Sequence, residues 1–101
     1  MTCVVIRNPD LVEEVEVDTS DMSPFTYQVL GGDVTILGSW NECSVIMLGL
    51  KHSDGPIIPE TMIPEQNREK GPLRGPLMFT KLDETYQVVH FRKKDYNDLL
   101  L

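Results

Sequence analysis

Four side chains in this sequence are of the kinds that ligate metals or attack electrophiles: Cys3, Cys43, His52 and His90. Each stands alone along the chain. Structural zinc sites draw their ligands from close pairs such as Cys-x-x-Cys, and no such pair occurs. A thiol nucleophile needs an imidazole base, and Cys43 with His52 or His90 is the combination on offer. Cys43 opens the apolar run 43–50, where burial raises a thiol's pKa and quiets it. Gly31-Gly32 lacks the Gly-Lys-Ser/Thr of a phosphate-binding loop, and a helix C-terminus presents carbonyls that repel anions. The 16 acids allow a glycosidase-like carboxylate pair almost anywhere, so none is singled out. These residues predict no catalytic centre, no metal and no cofactor.

Charge points elsewhere. Sixteen Asp and Glu against nine Lys and Arg give a net charge of −7, which opposes attraction to nucleic acid or anionic lipid. Residues 1–62 hold two bases and ten acids, whereas residues 63–101 hold seven and six. Glu13, Glu14, Glu16, Asp18 and Asp21 concentrate the acidity of the first half. The simplest reading of that run is a solvated hairpin face whose charges suppress edge pairing. Its functional reading is a negative surface that steers a basic partner. The sequence therefore predicts a non-enzymatic protein-interaction module acting through its acidic N-terminal half. The alternative is a protein that binds or sequesters a small anionic metabolite or nucleotide using the 51–76 loop, with Arg68, Lys70, Arg74 and Trp40 as its candidate binding residues, although a tryptophan in a turn is more simply read as a hydrophobic lid over the sheet end. Phe79, Tyr86, Phe91 and Tyr96 alternate as core residues do, so no nucleic-acid platform is expected.

The elements that must position these groups can be read along the chain. With 101 residues, 41% hydrophobic and 25% charged, one ordinary globular domain spanning 1–101 is expected. Residues 2–7 and 11–17 read as strands around the turn formers Asn8, Pro9 and Asp10, with acids alternating on the second strand. Capping residues at 18–23 and Pro24 lead into a short helix at 25–30, stopped by Gly31-Gly32. Strands follow at 33–37 and 43–50, the second apolar enough for a central position, with Trp40 in the turn between them. Residues 51–76 form a Pro/Gly-rich loop holding five of the seven prolines. Two more strands, at 77–82 and 87–91, precede a helix at 92–101. This order predicts an α+β fold: a small mixed sheet of about five to six strands, one short helix packed on it and a short C-terminal helix, β-grasp-like.

Two further expectations concern setting and assembly. No apolar run reaches the roughly 18 residues that cross a bilayer, and the start lacks a secretory signal pattern. With two cysteines and no disulfide framework, a cytoplasmic protein is expected, without a membrane partner. Apolar residues at 56–59 and 99–101 predict a homodimer or larger homo-oligomer, and the acidic and basic ends would suit head-to-tail contacts.

An opening hairpin, Leu30-Gly31-Gly32 running into a strand, Pro64-x-x-Asn67, and the strand entry Gly75-Pro76-Leu77 together resemble an uncharacterised small domain. That family is carried by tailed phages, algae-infecting large DNA viruses and some algae. The similarity covers most of the chain, and the basic stretch 68–74 departs from the pattern. The resemblance implies a viral or algal context, with host cytoplasm as the setting if viral. It implies no chemistry and no catalytic residue.

Overall fold

Tight turns set the direction of the strands. The computed structural model describes residues 2–16, 30–64, 73–85 and 87–100. Strand β1 (Thr2–Asn8) turns through Pro9 and Asp10 into β2 (Leu11–Glu16), and the Asn8 side chain accepts the Asp10 N–H at 2.8 Å. Strand β3 (Val34–Trp40) returns as β4 (Val45–Leu50) through a four-residue turn. Then come β5 (Ile57–Ile58), a 3-10 turn (Glu60–Met62), β6 (Leu73–Arg74), β7 (Leu77–Leu82), β8 (Val88–Val89) and helix α1 (Lys93–Leu100).

The main sheet runs β2-β1-β7-β4-β3, with β8 paired to β7, and β5 and β6 make a small second sheet. The α+β fold is thus present with six strands in its main sheet. Every described pair is antiparallel, so neighbouring strands alternate in direction throughout where a mixed sheet was expected. The helix expected at 25–30 lies outside the described residues except for Leu30, which is helical and buried.

Both faces of the sheet carry core. On one, Phe79 sits at the centre, with ring centroids 5.8 Å from Trp40, 5.4 Å from Tyr96 and 6.5 Å from Phe91. Helix α1 covers this face through Tyr96, whose hydroxyl donates to the Met62 carbonyl, while Leu99 and Leu100 pack against the same cluster. On the other face Cys3, Val5, Leu30, Leu48 and Met78 form a second cluster. Interior strands β1, β4 and β7 therefore read as nearly continuous apolar runs. Strand β4 is interior as expected, but β7 holds the middle place.

The proline-rich stretch contributes to the core. Ile58, Ile63 and Leu73 join the Phe79 cluster. The Ser53 hydroxyl donates to the Gly75 carbonyl at 2.6 Å, and the Gly75 N–H donates to the Pro56 carbonyl at 2.9 Å. A Cβ on Gly55 would lie 2.1 Å from the Gly75 oxygen, so only glycine permits this approach.

Candidate functional site

Strand β2 is one edge of the sheet, and its register sorts the glutamates. Glu14 lies opposite Val4 and Glu16 opposite Thr2, on the face of the Phe79 cluster, while Glu13 lies opposite Val5 on the other face. An edge strand with core on both sides places its polar alternates at the rim of each core. Glu13 forms an ion pair with Arg7. The Glu14 carboxylate accepts the Lys93 N–H at 2.8 Å, where the N-terminal dipole of α1 favours an anion. Asp95 accepts the Arg92 N–H at 2.9 Å and closes the same helix end.

Glu16 belongs to a small polar network. The Thr2 hydroxyl donates to Glu16 at 2.5 Å, and this bond chiefly holds the carboxyl below its usual pKa, with His90 and Arg92 acting in the same direction. The Thr2 N–H donates to His90 Nδ1 at 3.2 Å, and the hydroxyl lies 3.1 Å from the same nitrogen. Thr2 itself is buried. The two ends of the chain that differ most in charge therefore meet, because the run Arg92, Lys93, Lys94 enters α1 beside the acidic strand. This edge orders a helix terminus. It holds a hydroxyl, an imidazole and a carboxylate in contact, but the hydroxyl is enclosed.

The remaining sequence candidates are scattered. Asp18, Asp21, Arg68 and Lys70 lie outside the described residues. Arg74 is exposed, and its guanidinium donates to the Gly55 carbonyl at 2.9 Å. Trp40 ends β3 inside the core at 2% exposure, and its Nε1 has no hydrogen-bond partner among the described residues. A surface-bound ligand would meet Arg74 without meeting Trp40. Cys3 is buried, which pushes its thiol up to about 11. Cys43, half-buried in the β3–β4 turn, donates to the Trp40 carbonyl at 3.6 Å. Among the described residues no three His, Cys, Asp or Glu side chains gather as metal ligands. No helix among them is long and apolar enough to cross a membrane.

One feature has no signature in the sequence. A cleft of about 520 Å³ lies between the β3–β4 and β7–β8 turns, lined by Glu42, Cys43, Ser44, Lys81 and Asp83 among others. Antiparallel pairing of β4 with β7 brings these distant turns together. Ser44 there has a positive φ of 58°, an uncommon conformation for a side-chain-bearing residue. Asp83 accepts from the Gln87 N–H at 3.0 Å and from the Thr85 N–H and hydroxyl at 2.8 and 2.7 Å, which holds its pKa below the usual range. Its carboxylate shapes the turn. No histidine lines the cleft to serve as a base for Cys43.

No curated protein and no solved structure matches the chain. A protein-family model matches residues 4–99, nearly the whole length. The chain therefore belongs to the family of unknown function DUF5880.

Proposed function

We propose that the protein is a non-enzymatic interaction module whose acidic β2 edge engages a basic surface on another protein. The observation that carries this reading is the state of Glu14 and Glu16, both exposed on an outermost strand. Glu14 is met by a main-chain N–H, a dipole that leaves its net charge intact, and Glu16 is held ionised by the Thr2 hydroxyl. Two fixed negative charges on a rigid strand suit electrostatic steering, which sets association rate and choice of partner. The resemblance in Leu30-Gly31-Gly32 and Gly75-Pro76-Leu77 supports a viral or algal protein acting in the cytoplasm of a host.

The test uses an immobilised lysine-rich peptide as probe. Binding should weaken steeply between about 50 and 300 mM salt, and Glu14→Gln/Glu16→Gln, which keeps the acceptor oxygens, should reduce it several-fold. Unchanged binding by the double variant would contradict the reading. So would a nucleotide panel that raises the melting temperature, since that outcome favours capture of a small anion.

A further inference from the structure

The two edges of the sheet are built differently. Strand β2 carries three glutamates in six residues, which would face like charges if two copies met there. Strand β3 carries no charged residue in its seven, and Ile36 on it is 58% exposed. Edge strands are commonly protected by charge. Here only a bulge at Leu37, between Ile36 and Gly38, interrupts the edge.

Main-chain contacts fix which groups of β3 point outward. The Lys51 N–H donates to the Asp33 carbonyl at 3.0 Å, and Val34 pairs with Leu50 in the same register. Bonded and non-bonded pairs alternate in an antiparallel ladder, so Thr35 bonds Gly49 while Val34 and Ile36 aim their N–H and C=O groups away from β4. Past the bulge, the Leu82 N–H donates to the Ser44 carbonyl at 2.9 Å. That phase turns Val45 toward Trp40, leaving Gly38 bonded inward to Met47. Among the described residues no strand covers this edge.

We propose that β3 pairs antiparallel with β3 of a second copy, about a two-fold axis through Thr35, to form one continuous sheet across a homodimer. In this register Val34 and Ile36 of one copy meet Ile36 and Val34 of the other, and every outward peptide group on that arm finds a partner. A register centred on Ile36 would set Val34 against the inward-facing Gly38 and lose those bonds. Thr35 opposes Thr35, a favourable cross-strand pair, and the Val34 and Ile36 side chains cover each other on the face of the second cluster. The occupant is a second copy because the strand is self-complementary about this axis and uncharged, so two copies meet there without the like-charge repulsion that the three glutamates of β2 would impose at the other edge. One strand pair is smaller than the standard interface of about 1,600 Å², which places the contact among weak, reversible associations.

Cysteine cross-linking in a Cys43→Ser background reads the register. Residues at a non-bonded antiparallel pair have Cα atoms about 4.5 Å apart, within disulfide reach, so Thr35→Cys should oxidise to a covalent dimer. Ile36→Cys meets its own copy only across a diagonal of about 7–8 Å and should stay largely reduced. Ile36→Lys, at an exposed position, should keep the fold and abolish dimer in sedimentation velocity. A wild-type monomer at several hundred micromolar, equal cross-linking of the two cysteine variants, or an Ile36→Lys dimer would each overturn the proposal.

Discussion

The Glu14 carboxylate accepts the Lys93 N–H at 2.8 Å, tying an edge strand to the first turn of the C-terminal helix across 79 positions of sequence. Helix α1 has eight residues, too few to hold alone, so its stability comes from this bond and from Tyr96 docking on Phe79. Glu14→Ala is expected to lower the melting temperature by roughly 3 to 6 °C and to increase amide exchange at Lys93, Lys94 and Asp95. Glu14→Gln should recover part of the loss, because the acceptor remains. Hydrogen exchange followed by NMR checks both.

Acid should destabilise the protein through two carboxylates. Glu16 and Asp83 both titrate below their ordinary values of 4.5 and 3.8, chiefly through the Thr2 hydroxyl and the Gln87 N–H respectively. A depressed folded-state pKa gives stability that is present above the unfolded value and disappears as pH falls through the folded one. The melting temperature is therefore expected to be flat from pH 7 to about 5 in these groups and to fall below about 4.5. Thr2→Val removes the hydroxyl and should raise the Glu16 pKa, measured by carbon-detected titration.

Phe79 of β7 is fully buried and its ring packs against Trp40 of β3, Phe91 in the link between β8 and α1, and Tyr96 of α1, joining these pieces at one point. Phe79→Ala should cost about 3–5 kcal/mol, a large share of what a domain this small has. Chemical denaturation is expected to show a lost or greatly weakened cooperative transition.

Gly55 tests the organisation of the proline-rich stretch. Since its Cβ would lie 2.1 Å from the Gly75 carbonyl oxygen, Gly55→Ala must displace the segment that carries Ser53 and Pro56. Destabilisation of about 1–3 kcal/mol is expected, with chemical-shift changes centred on Gly75 and Ile58.

The strands were legible where residue type and periodicity agreed. The runs at 2–7 and 77–82 are β-branched or apolar and bounded by turn formers, and β1 and β7 occupy them. Strand β3 outran its expected end because the bulge at Leu37 restores pairing from Gly38 to Trp40, which carries the tryptophan from a turn into the core. The loop at 51–76 hid Ile58, Ile63 and Leu73 as core residues, since short pieces between prolines show no period. Glu13, Glu14 and Glu16 were recognisable as an acidic edge. Their attachment to Arg7, Lys93 and Thr2 was not, because charge counted along a chain says nothing of which ends fold together.

The proposed function rests on the β2 edge receiving basic groups, and mapping by NMR tests it directly. A lysine-rich peptide is titrated into the wild-type protein at low salt while main-chain amide shifts are followed. Shifts should concentrate on residues 13–16 and 92–95 and collapse in Glu14→Gln/Glu16→Gln. Shifts spread evenly over the surface, or centred on the cleft between the β3–β4 and β7–β8 turns, would contradict it.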